Sequence, residues 1–163
     1  MLKNNRGKAL LYVNLTVLAF MAIAALIGGW PSANVSANGT EEIKQAVVAY
    51  YEKMPDNSYK IPEPELKKLV DAKDLNIYIL DIRDNKDFIQ GHIAGAQNIP
   101  FREVGRSLEK LPKDKQIIVY CYTGQTGGQT TALLNVAGFK AKSLNGGMNN
   151  GWAKAGYPVV AGN

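Results

Sequence analysis

One residue in this chain offers chemistry that no other residue duplicates: Cys121, the single cysteine among 163 residues. It follows the short apolar run Ile117-Ile118-Val119, whose β-branched content predicts a buried strand. Directly after it come Tyr122, Thr123, Gly124, Gln125, Thr126, Gly127 and Gly128, mostly small, hydroxyl or glycine residues. The spacing then predicts a helix over 128–137, closed by Gly138, with Ala132, Leu133, Val136 and Ala137 towards the sheet. A thiol so placed lies on a strand-to-helix turn, at the edge where open α/β sheets bind their ligands. Glycines separated by short side chains let backbone N–H groups converge on one point, and a helix N-terminus adds partial positive charge. Both effects favour the thiolate. A free cysteine ionises near about 8.5, and settings of this kind bring that down to roughly 3.5–7.5. The pattern suits a nucleophile, or a sulfur that holds a second sulfur as a persulfide. The competing reading is a buried cysteine that acts only as a small apolar residue.

Two further stretches share the order and spacing of a known family. Upstream runs Leu80-Asp-Ile-Arg-Asp-Asn-Lys-Asp-Phe-Ile-Gln-Gly-His-Ile-Ala-Gly-Ala-Gln-Asn-Ile-Pro100, and downstream runs Leu144-Asn-Gly-Gly-Met-Asn-Asn-Gly-Trp-Ala-Lys-Ala-Gly-Tyr-Pro-Val159. With the segment Tyr120 to Thr126 between them, they frame about a hundred residues that resemble the rhodanese-like sulfurtransferases. The resemblance implies a rhodanese-like α/β fold and a persulfide on Cys121. It also implies a small sulfur-donor anion such as thiosulfate, and a thiol, cyanide or protein as sulfur acceptor. The anion or persulfide cradle would be Tyr122, Thr123, Gly124, Gln125, Thr126 and Gly127. Many members carry an arginine or lysine within this loop, whereas no basic residue lies between Cys121 and Gln129 here, and Thr126 stands where one is common. Stabilisation must then come from backbone amides and the hydroxyls of Thr123 and Thr126. A phosphatase on the same fold would need arginine six residues beyond the cysteine to clamp phosphate oxygens; that position is Gly127.

Positive charge for a substrate must come from elsewhere. The run Ile77-Tyr78-Ile79-Leu80 predicts a central strand, which puts Asp81 and Arg83 on the same sheet edge as Cys121. Asp81 either accepts loop amides or an arginine, or enters the chemistry directly. Arg83 either orients an anion through its planar fork or pairs with Asp81, Asp84 or Asp87. Arg102, after Pro100 on a short helix that also carries Arg106, is a second source of positive charge. His92, the only histidine, would be the general base if one served Cys121; in the resembled family it belongs to the scaffold. No metal and no cofactor is expected.

The remaining chain must position these residues. Lys3, Arg6 and Lys8 precede the largely apolar residues 10–27, and Val35-Ser36-Ala37 supplies small residues of the kind a signal peptidase reads. Residues 1–37 are therefore expected to be a signal peptide, which makes the protein extracytoplasmic, periplasmic or secreted. The alternative is a retained anchor with membrane association through residues 10–27, about 27 Å long as a helix against a bilayer core of roughly 30 Å. The formal charge of +5 falls to +2 without the three leader cations, with 16 basic and 14 acidic residues left. No basic cluster remains, so nucleic-acid binding is not expected. Residues 38–58 carry an amphipathic helix, expected over 40–54 with Asn38 as its cap and Pro55 as its end, for packing or for docking a partner. Residues 59–163 form the α/β domain. Strand candidates at Tyr59–Ile61, Ile77–Leu80, near Asn98, at Ile117–Val119 and at Ala141–Leu144 alternate with helices. The expected result is a small parallel sheet with helices on both faces, without internal repeat, acting as a monomer.

Overall fold

The computed structural model describes residues 36–162, so the expected leader, its cleavage site and the apolar stretch 10–27 lie outside the described residues. Residues 42–163 form one compact unit, and residues 36–41 are the described part of the other.

Five strands build one parallel sheet in the order β1-β5-β4-β2-β3. They are β1 (Lys60–Ile61), β2 (Ile77–Asp81), β3 (Gln97–Asn98), β4 (Gln116–Tyr120) and β5 (Lys140–Leu144). Helices α1 (Ala37–Glu52), α2 (Glu63–Asp71), α3 (Asn85–Gln90) and α4 (Gln125–Val136) connect them, with a 3₁₀ helix at Phe101–Lys110 and a π-helical turn at Gly147–Trp152. Central β4 explains the architecture. Its residues Ile117, Ile118, Val119 and Tyr120 are all fully buried, because a parallel strand between two helical layers has no solvent face.

The two-residue period of a strand divides these side chains between two cores. Ile118 and Tyr120 point into a cluster with Leu66 of α2, Phe88 of α3 and Trp152. Ile117, Val119 and then Cys121 point into the other, with Leu134 of α4, Phe139, and Val104 and Leu111 from the 3₁₀ segment. Trp152 also donates its indole N–H to the Pro158 carbonyl at 2.9 Å, tying the chain's end to this core.

The expected α/β fold with helices on both faces of a parallel sheet is present. Two helices differ in detail. Helix α4 begins at Gln125 rather than 128, and its buried residues are Gly127, Thr130, Thr131 and Leu134, while Leu133 is 67 % exposed. Expecting only apolar side chains against the sheet set the wrong face. Glycine and threonine fill it because the helix starts so close to the strand it has just left. Helix α1 begins at Ala37, ahead of the expected Asn38 cap; Gly39 N–H donates instead to the Ser36 hydroxyl at 3.1 Å. None of its residues is buried, and its contact with the rest of the compact unit includes the Tyr50 ring stacked on Tyr59 at 5.2 Å.

Candidate active site

Because β4 ends at Tyr120 and α4 starts at Gln125, only Cys121 to Gly124 separate strand from helix. The turn is possible because Gly124 takes φ +93°, a left-handed conformation that side chains resist. The tight reversal brings the first turn of α4 onto the sulfur. The Gly124 N–H donates to Cys121 Sγ at 3.1 Å and the Gly127 N–H at 3.3 Å. A Cβ at Gly127 would stand 2.9 Å from Ser143 Oγ and 3.6 Å from Sγ, so a larger residue there must displace the Ser143 hydroxyl.

Burial of Cys121 opposes ionisation. Hydrogen bonds from the Thr126 hydroxyl and the amides of Gly127, Thr123 and Gly124 outweigh it, and the thiol is held below its ordinary value. The side chain therefore lies in the core by area but meets donors at its tip.

A second backbone clamp closes the loop from outside. Met148 N–H donates to the Cys121 carbonyl at 2.8 Å and Asn149 N–H to the Tyr122 carbonyl at 2.7 Å. This approach depends on Gly147, at φ +60°, where a Cβ would sit 2.6 Å from the Cys121 oxygen and 2.7 Å from the Gly124 nitrogen. This hold on the loop was not expected from the sequence. The paired glycines were the available signal.

The remaining candidates fall into separate groups. Thr123 and Gln125 are exposed on the loop and at the start of α4. Tyr122 is partly exposed; its hydroxyl donates to Asp87 of α3 and accepts the Asp84 N–H at 3.3 Å. Burial and the Asp87 carboxylate raise the phenol above its ordinary value. Asp81 is fully buried, and both its oxygens accept from Arg83, the shortest contact being Nη2 to Oδ2 at 2.7 Å. Asp81 also accepts the Arg83 backbone N–H at 2.9 Å, and the same Nη2 reaches the Gly91 carbonyl at 2.8 Å. This closed pair lies beside the Tyr120 ring, 5.4 Å from the guanidinium carbon. Tyr120 and Cys121 face opposite cores, so Arg83 braces the strand end beneath the loop, and its guanidinium carbon also lies 6.0 Å from the Tyr122 ring. Tyr120 itself accepts the Ile93 N–H at 3.2 Å, and burial together with the Asp81 carboxylate pushes its phenol far up.

His92 is buried against Phe88, ring centroids 3.8 Å apart, with Nδ1 2.9 Å from the Phe88 carbonyl. Its backbone pairs with Val160, and it takes no part in the loop. Arg102 is exposed and lines a cleft of about 320 Å³ that also touches Tyr122 and Thr126.

Residues 63–155 match the family model described as Rhodanese-like domain, more than half of the chain. The chain belongs to that family. Among rhodanese-like relatives, a thiosulfate sulfurtransferase of Coxiella burnetii is 35 % identical over 61 % of this chain and 91 % of its own length. A sulfurtransferase of Allochromatium vinosum is 31 % identical over 58 % of this chain and 87 % of its own. Among solved structures, a rhodanese-related protein from Thermoplasma volcanium superposes with a TM-score of 0.57 at 29 % identity, covering 62 % of this chain and 96 % of that one. Family and relatives together support sulfur transfer, between a donor and an acceptor, as the general chemistry of this rhodanese-like chain.

Proposed function

We propose that the protein is an exported sulfurtransferase that carries sulfane sulfur from a donor such as thiosulfate to a thiophilic acceptor, with Cys121 as the catalytic residue. The observation that supports this most is the pair of amide hydrogen bonds on Sγ, at 3.1 and 3.3 Å, from Gly124 and Gly127. The Cys121 thiolate attacks the outer sulfur of thiosulfate. The sulfur–sulfur bond of the donor breaks, its electron pair leaves with sulfite, and Cys121 retains the outer sulfur as a persulfide. An acceptor nucleophile then removes that sulfur and restores the thiolate, a ping-pong sequence. Donors fixed before the reaction stabilise negative sulfur without having to reorganise. Residues Tyr122 to Gly127 form the cradle, Asp81 and Arg83 brace it from below, and Arg102, in the cleft beside Tyr122 and Thr126, supplies positive charge for an incoming anion.

Mass measurement before and after incubation with thiosulfate tests the scheme, with an added sulfur expected on Cys121 and none on Cys121→Ala. Residual thiosulfate–cyanide turnover by Cys121→Ala refutes it. The loop's lack of a basic side chain favours one other reading, a carrier that accepts sulfur once and delivers it to a dedicated partner protein. Persulfide formation in a single turnover without steady-state turnover would select the carrier. For export, the N-terminal mass of protein recovered outside the cytoplasm decides: a start just after Ala37 is expected, and an intact Met1 in membranes refutes cleavage.

A further inference from the structure

The cleft beside the loop carries both signs of charge within a small volume. It is lined by Phe101 and Tyr122, by Arg102 as its only basic residue and Asp84 and Glu103 as its acids, and by Thr126. Thr126 also helps to lower the ionisation of Cys121, so the cleft shares a wall residue with the loop that holds the reacting atom. Phe101 and Tyr122 are 41 % and 37 % exposed, a large aromatic area to leave in water. Among the described residues, the side chains of Arg102, Asp84 and Glu103 have no ion pair or hydrogen bond. At about 320 Å³ the space lies at the small end of ligand sites. It suits a molecule of a few heavy atoms and is too small for a folded domain to enter.

We propose that this cleft is the acceptor subsite and takes a small zwitterionic thiol of the amino-acid type. Its carboxylate pairs with Arg102, its ammonium with Asp84 and Glu103, and its carbon chain lies between Phe101 and Tyr122. This rests on the persulfide reading of Cys121. The acceptor thiol loses its proton to solvent and its sulfur attacks the outer sulfur of the Cys121 persulfide. A new sulfur–sulfur bond forms in the acceptor, and the bond to Sγ breaks. The electron pair returns to Sγ as the thiolate held by Gly124, Gly127 and Thr126. The acceptor leaves as a hydropersulfide, with no net oxidation or reduction. A ping-pong order lets Arg102 meet the donor anion first and the acceptor carboxylate second.

The test loads the full chain with thiosulfate to completion, verified by mass, and then follows loss of the added sulfur to four thiols. They are cysteine with both charges, cysteamine with the ammonium alone, mercaptopropionate with the carboxylate alone, and mercaptoethanol with neither; rates are corrected for each thiol's ionised fraction. Cysteine is expected to be fastest. Arg102→Gln should slow cysteine and mercaptopropionate by roughly fivefold and leave cysteamine unchanged, the scale of a charge-assisted contact at a part-exposed site. The double variant Asp84→Asn with Glu103→Gln should slow cysteine and cysteamine and spare mercaptopropionate. If all four thiols follow their ionised fraction alone, or if both variants slow all four equally, the subsite assignment is wrong while the persulfide reading stands. If no sulfur loads onto Cys121 of the native chain, both are wrong.

Discussion

Thr126→Val removes the side-chain hydroxyl that helps to lower the ionisation of Cys121 and keeps the β-branched shape. The hydroxyl opposes a burial that by itself would keep the thiol protonated. A hydrogen bond to a charged group contributes about 1.5–3 kcal/mol, and about 1.4 kcal/mol corresponds to a tenfold change in an equilibrium. The ratio of thiolate to thiol at fixed pH should therefore fall roughly tenfold or more. It should not collapse, because the amides of Gly124 and Gly127 stay at 3.1 and 3.3 Å. The sign follows from the lowered ionisation of Cys121. In the native protein alkylation by iodoacetamide should rise and level off below the pH range of an ordinary thiol. In the variant the same rise should move to higher pH. Thr126→Ser, which retains the hydroxyl, should return the profile towards native. An unchanged profile in the valine variant, or a serine variant indistinguishable from valine, would refute the claim that this hydroxyl helps to hold the thiolate.

Two further outcomes follow from the supports around the loop. Asp81→Asn leaves the Arg83 guanidinium, whose side chain is 6 % exposed, buried without its counter-charge, and should cost about 3–5 kcal/mol in denaturant unfolding; a loss below about 1 kcal/mol, the range of exposed pairs, would mean that water reaches the pair. Gly147→Ala drives a methyl to within 2.6 Å of the Cys121 carbonyl at a φ of +60°. Sulfur loading on Cys121 should fail in that variant while its far-ultraviolet circular dichroism stays native, and normal loading would show that the clamp does not shape the cradle.

The sheet's centre was legible because β2 and β4 are apolar, β-branched runs, with β4 apolar on both faces, while the short or polar strands β1, β3 and β5 were placed by the alternation of strands with helices. Cys121 was legible for a related reason: a polarisable nucleophile followed by glycines has few uses at a strand end. What escaped was everything decided by close approach. The first turn of α4, Gln125-Thr126-Gly127-Gly128, has poor helix propensity, yet it is helical because its amides meet the sulfur and the sheet lies directly beneath it. Thr130 and Thr131 are buried there although their hydroxyls have no hydrogen-bond partner, a polar cost that hydrophobic patterning cannot anticipate. For Arg83 the sequence allowed either substrate binding or pairing; the fully buried Asp81 two residues earlier captures it. The hold of Met148 and Asn149 on the loop carbonyls is made by backbone amides, so its mark on the sequence is only the glycine pair that permits the approach.

That hold has a temporal consequence. The amides that bind the carbonyls of Cys121 and Tyr122 belong to residues 148 and 149, which a ribosome adds well after the cysteine itself. Until they are made and docked, the turn lacks its outer brace and the sulfur ionises like that of an ordinary unfolded peptide. The ionised sulfur is thus a property of the closed domain, since the brace that shapes its loop is completed only when residues well downstream of the cysteine have docked.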